Sequence, residues 1–107
     1  MTNGRVAYTV RAECADAQVA EEWIAWLRNG HLAEVLNGGA LCADVVRLDG
    51  EKIVCEVRYV FASSESFAQY EKEFAPKLRA EGVRKFPPER GIIYARSVGN
   101  VEAQMAR

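Results

Sequence analysis

The chain has 107 residues, half of them apolar and 27% charged, which is the size and composition of one domain with an ordinary core rather than a disordered segment. Fourteen basic and fifteen acidic side chains leave a net charge of −1, so no general field draws the chain to nucleic acid or to an anionic membrane surface. No unbroken apolar run in it approaches the roughly 18 residues of a membrane-spanning helix.

Arg5–Cys14 sets Val6, Tyr8, Val10 and Ala12 against Ala7, Thr9 and Arg11, a period of two that predicts a strand. Asp16 supplies an N-cap oxygen for a helix whose apolar stripe is Val19, Trp23, Trp26 and Leu27, and Asn29-Gly30 is its expected stop. His31–Leu36 has room for one further turn before Asn37-Gly38-Gly39. Ala40–Leu48 and Lys52–Ala62 read as two strands of a hairpin joined at Asp49-Gly50-Glu51. Ser63 and Ser64 can cap a second helix carrying Phe67, Tyr70, Phe74 and Leu78, and Pro76 predicts a kink or restart near Ala75. Pro87-Pro88 ends that region, Ile92–Val98 is the last strand, and residues 99–107 are expected to form a flexible tail.

The order is β-α-β-β-α-β in a single domain over 1–107 with its core at about 5–98. That is the α+β, ferredoxin-like split βαβ plan, a four-stranded antiparallel sheet with two helices on one face. In the third strand Ile53, Cys55, Val57, Tyr59 and Phe61 share the face expected under the helices. The opposite face carries Val54, Glu56, Arg58 and Val60, joined by Arg11 of the first strand. This face is too apolar for water alone and too charged for a core, which suits pairing with the same face of a second copy.

The one histidine, His31, lies three residues before Glu34, and on a continuing helix the two share a face. A carboxylate beside an imidazole raises its pKa and fixes its tautomer, so the pair is the candidate for acid–base chemistry. Set against that, a histidine just past a helix stop is commonly a surface or interface residue. One His and one Glu are too few ligands for a catalytic zinc, so no metal and no cofactor is expected. Trp23 and Trp26 could line an aromatic pocket, although tryptophans on an apolar stripe more often pack a core. Lys77, Arg79, Arg84, Lys85 and Arg90 read as a solvated basic helix end. Cys14, Cys42 and Cys55 lack a Cys-x-x-Cys spacing; all three are expected to be small buried hydrophobes, and with no leader segment in view a cytoplasmic setting is expected. The third strand also lacks the glycines and exposed aromatics of an RNA-recognition strand, so no nucleic-acid partner is expected.

The stretches Glu22-Trp23-x-x-Trp26-Leu27, His31-Leu32-x-Glu34-Val35-Leu36 and Gly39-x-Leu41, followed by Tyr70 to Arg79, resemble a family of small bacterial proteins known as a domain of unknown function. That family is in turn similar to the dimeric α/β-barrel superfamily, and the resemblance covers about residues 5–98. It implies two chains pairing sheet to sheet around a small cavity. Relatives in the superfamily include cofactor-free monooxygenases, haem-degrading enzymes, lactone isomerases and sugar mutarotases, several of which use a histidine. None of their catalytic motifs transfers residue by residue. Two functions follow as expectations. The first is a homodimer with a cavity for a small organic molecule, with His31 and Glu34 for acid–base or oxygenase-like chemistry and Arg11, Glu56, Arg58, Val54 and Val60 lining the cavity or interface. The second is a non-catalytic dimeric binding, regulatory or accessory module.

Overall fold

The computed structural model describes residues 4–107. Strand β1 (Val6–Cys14) leads into α1 (Ala17–Trp26), a wide kinked turn (Leu27–His31) and α2 (Leu32–Asn37). The hairpin β2 (Ala40–Arg47) and β3 (Ile53–Phe61) is followed by α3 (Ser64–Glu73), α4 (Ala75–Lys85) and β4 (Ile92–Asn100). The four strands form one antiparallel sheet in the order β2-β3-β1-β4, which is the expected ferredoxin-like arrangement.

Alternation does most of the sorting. Val6, Tyr8, Val10, Ala12 and Cys14 of β1 pair with Phe61, Tyr59, Val57, Cys55 and Ile53 of β3, and all ten except the half-buried Ile53 are buried. The helices add Val19, Ala20, Trp23, Leu27, Val35, Tyr70, Ala75 and Leu78 to the same core. Each fully buried Leu, Val or aromatic there contributes on the order of 1.5–3 kcal/mol. Leu41 enters as a bulge between Ala40 and Cys42, so Ala43 and Val45 keep the helix side while Cys42, Asp44 and Val46 take the other.

Both helical regions are broken where expected. The Asp16 side chain accepts from the Val19 amide at 2.9 Å, and α1 then runs until Asn29 and Gly30 leave helical geometry, Gly30 at φ +151°. Ser63 caps α3 by accepting from the Ser66 amide at 3.1 Å. The missing N–H of Pro76, together with Phe74 at φ −116°, divides α3 from α4.

Two expectations are corrected. The last strand continues past Val98 to Asn100, because β1 begins at Val6 and so still has partners for Gly99 and Asn100; the Val101 amide also donates to the Arg5 carbonyl at 2.9 Å. Cys42 is exposed on the sheet's edge strand, unlike buried Cys14 and Cys55. No helix among the described residues is long and apolar enough to cross a membrane.

The return from α4 into β4 turns on Gly91, at φ +81°, where an added Cβ would lie 2.6 Å from the Ala15 Cβ. Replacing Gly91 by Ala is expected to destabilise the fold by at least about 2 kcal/mol, from backbone strain and overpacking together. Urea unfolding of the variant, read by circular dichroism, measures it.

Candidate functional site

The cavity that one chain encloses lies between the sheet and the helices and has a free volume of about 40 Å³, room for roughly three water-sized spheres. The sheet supplies Tyr8, Val10, Val57, Tyr59, Tyr94 and Arg96 as its floor. Trp23, Trp26, Leu27 and His31 close one side, and Tyr70, Leu78, Arg79, Gly82 and Val83 the other.

The break after α1 delivers the histidine. In a regular helix positions five apart point in different directions, but the wide turn at Leu27–His31 brings His31 back over Trp26. Their rings stack with centroids 4.1 Å apart and planes 25° from parallel. Across the cavity α4 approaches closely at Gly82, where an added Cβ would sit 3.2 Å from the Trp26 ring. Trp26 also packs on Phe86, centroids 5.7 Å apart.

On the floor, the Tyr8 hydroxyl accepts from Arg79 Nη2 at 3.1 Å and from Arg96 Nε at 3.2 Å. Arg79 is held in turn by the Glu71 carboxylate. Hydrogen bonds from charged donors contribute about 1.5–3 kcal/mol each where they are well shielded. Two such donors occupy both lone pairs of the phenol and leave its proton for another acceptor. Tyr8 stacks on Tyr59 at 5.8 Å and contacts the Phe67 and Tyr70 rings. Burial, followed by neighbouring Tyr70 and Tyr8, pushes the Tyr59 hydroxyl well above the ordinary phenol range. Burial also pushes Tyr70 and Tyr94 up to about 12. The Tyr94 hydroxyl donates to the Phe86 carbonyl at 3.4 Å. Tyr59 Oη and Arg79 Nε, by contrast, are shut off from solvent without a hydrogen-bond partner.

His31 therefore lines this cavity, with its pKa lowered to about 4 by burial and only partly offset by Glu81. This reverses the expected upward shift. The restart of the helix at Leu32 turns the imidazole inward and leaves Glu34 exposed on α2, so the carboxylate that bears on His31 is Glu81 of α4. Trp26 is a wall of the pocket, and Arg79 is a cavity residue instead of part of a solvated helix end. The signal for Arg96 was present in the sequence: it shares strand parity with Ile92 and Tyr94, a charge at a position facing the helices. No comparable signal marks Arg79, one of several basic residues on its helix.

The other residues singled out from the sequence sit together on the opposite sheet face. Arg11 is paired in register with Glu56, and Thr9 with Arg58. Arg58 donates to Glu56 through Nε at 3.0 Å and Nη2 at 2.8 Å. Val60 is half-buried, and Val54 is buried beside Arg11 and the 48–52 loop. The sheet separates this group from the His31 cavity. Among the described residues no three His, Cys, Asp or Glu side chains converge as a metal site would require.

Fold and cavity together define a ferredoxin-like α+β protein with a small aromatic pocket beneath its helices. Residues 5–94 match the family described as Domain of unknown function (DUF4286), and the chain belongs to that family. No curated protein matches it in sequence. Among solved structures it is similar to a dimeric ferredoxin-like protein from an uncultured marine organism, at 9% identity and a TM-score of 0.76, covering 96% of this chain and 99% of that one. It is similar too to SnoaB, a cofactor-independent oxygenase from Streptomyces nogalater, at 11% identity and a TM-score of 0.67 over 97% and 99% of the two chains. A third is a monooxygenase from the gene ActVA-Orf6 of Streptomyces coelicolor in complex with the ligand Nanaomycin D, at 11% identity and a TM-score of 0.72 over 97% and 92%. At these identities the likeness is one of fold.

Because His31 is the sole histidine, its titration can be read without ambiguity. Its imidazole is expected to titrate near 4 by NMR, against about 6.5 for an unperturbed histidine. The folded pKa lies below the unfolded one, so the unfolded chain binds more protons between these values. Stability is therefore full above about pH 6.5 and falls on acidification towards pH 4. His31→Gln should flatten the histidine contribution to that slope.

Proposed function

We infer that this protein forms a homodimer in which each chain binds a small organic molecule in the cavity beneath its helices, with acid–base chemistry available at His31. The observation that supports this most is that neutral imidazole, aromatic walls and two unpartnered buried polar atoms, Tyr59 Oη and Arg79 Nε, meet at one small cavity. A histidine uncharged at neutral pH has a free lone pair, but with its pKa held near 4 it takes a proton from a bound phenol, enol or α-carbon acid only where the site stabilises the anion formed. The Tyr8 hydroxyl, held by Arg79 and Arg96, is placed to donate a hydrogen bond to the anion so formed. Oxygenases with this fold, among them SnoaB, make oxygenase-like chemistry on such a deprotonated substrate a reasonable extension. A non-catalytic binding module is the second reading, favoured by the exposure of Glu34, which leaves the imidazole without the expected orienting partner. Cys14 and Cys55, unpaired and buried, suit a reducing compartment such as the cytoplasm.

The ligand reading is tested by thermal shift with a broad panel of small phenols, enols and carboxylates. A true ligand at 100 times its Kd stabilises by about 2.7 kcal/mol. Val83→Trp places a large ring at the cavity wall from a half-exposed position on α4 and should abolish that shift while the fold survives. No shift across the panel, or a shift untouched by Val83→Trp, overturns the reading.

The dimer places the face bearing Arg11, Val54, Glu56, Arg58 and Val60 against its counterpart around a two-fold axis. Cys42, Asp44, Val46 and the 68%-exposed Ile93 extend the same mixed face. A two-fold axis sets each residue of this patch against the same patch, so Glu56 and Arg58 can answer one another across it. Light scattering should give a mass near twice 11.9 kDa, and Val60→Asp, an added charge on the half-buried apolar end of this face, should return it to the monomer. A wild-type monomer at low micromolar concentration overturns the dimer and leaves the ligand reading standing.

A further inference from the structure

We propose that the cavity beneath the helices is built for a small organic anion, a carboxylate or enolate of few non-hydrogen atoms, held by Arg79, Arg96 and the Tyr59 hydroxyl. This deepens the ligand-binding reading above and rests on it.

Hydrogen-bond accounting around the cavity leads to that class. Arg79 Nε carries a hydrogen and no lone pair, so it can only donate, and it has no partner and no solvent. Tyr59, 2% exposed, has a hydroxyl in the same condition. The lone pairs of the Tyr8 oxygen are taken by Arg79 and Arg96, so Tyr8 offers a ligand only its proton. Arg79 Nε and the Tyr8 proton can be met only by acceptor atoms, and the Tyr59 hydroxyl can donate to the same acceptor. A cation or a donor-rich amine leaves the Arg79 and Tyr8 donors unsatisfied, and buried polar groups without partners are strongly disfavoured.

Charge points the same way. Glu71 answers Arg79, whereas Arg96 has no carboxylate partner among the described residues. Its guanidinium is engaged by the Tyr8 hydroxyl and lies over the Tyr94 ring, 5.7 Å from its centre. One positive charge at the cavity is thus left for an anion to neutralise, and a planar guanidinium matches the two oxygens of a carboxylate. The size and shape are equally restrictive. The free volume of about 40 Å³ admits only a few non-hydrogen atoms. The near-parallel Tyr8 and Tyr59 rings, 21° apart on adjacent strands, give the cavity a flat aromatic floor. A short, flat carboxylate or enolate meets every one of these demands.

The experiment is an NMR titration of the intact protein, following the Trp23 and Trp26 indole resonances. The probes are propionate and pyruvate, the neutral amides propionamide and pyruvamide, phenol, and inorganic phosphate. At least one carboxylate is expected to shift the Trp26 indole saturably, with its amide at least about tenfold weaker. Arg96→Gln, on an exposed strand position, should weaken that carboxylate by about tenfold or more. Tyr59→Phe removes a hydroxyl that has no hydrogen-bond partner within the chain, so it should fold at least as stably as the parent while weakening the carboxylate about fivefold or more. Amides that bind as well as their carboxylates, or phenol binding while the carboxylates do not, would overturn the anion and leave the cavity reading intact. Phosphate binding as tightly as the best carboxylate would overturn the organic class. Indoles unmoved by every probe would sink both this proposal and the reading beneath it.

Discussion

A four-stranded sheet whose two central strands are apolar on one side must be roofed, and that requirement governs the rest of this molecule. Nine of the ten side chains that β1 and β3 turn to the helices are buried, yet only short helices are available to cover them. The roof is complete over β3 and most of β1 and thins over β4. There Ile92 is buried, Tyr94 is half-buried, and Arg96 and Val98 are exposed. The cavity opens where the roof thins, with Arg96 exposed at that edge and Tyr59 Oη and Arg79 Nε shut off from solvent behind it.

The breaks in the helices shape that roof. Gly30 interrupts the first helical region and lets it turn inward, carrying His31 onto the Trp26 ring. Pro76 interrupts the second, and the restarted α4 carries Arg79 down to the Tyr8 hydroxyl and back against Glu71. The two breaks thus aim an imidazole and a guanidinium at the same small space from opposite sides. Gly82 permits this, since its missing side chain lets α4 lie against Trp26. Sites of this kind commonly coincide with local departures from regular helix.

The two faces of the sheet carry different chemistry. On the helix side, charge is sparse and fixed by hydrogen bonds to the Tyr8 hydroxyl, from the part-buried Arg79 and the exposed Arg96. On the open side Glu56 and Arg58 already satisfy one another at 2.8 Å, and such a solvated pair adds little to the stability of a single chain. Its worth lies in register and selectivity once a second surface excludes water. The ligand site and the dimer proposed above therefore draw on different residues.

Element types, strand parity, both helix breaks and the ferredoxin-like order were legible in the chain, because each rests on local rules. Alternation marks strands, Asp16 and Ser63 cap helices, and glycine and proline break them. Residues 5–14 and 53–61 could even be assigned their buried faces, since a period of two leaves no freedom once one face is apolar. The cavity was not legible, because it is made by residues distant in sequence: Tyr8 meets Arg79 across 71 positions and Arg96 across 88. Nor could the direction of the His31 shift be read from its neighbours, since sequence proximity offered Glu34 while packing supplied burial and Glu81. Local pattern determined which residues could be buried; only the packing of α1, α4 and β4 on the sheet decided which polar groups would be buried with them.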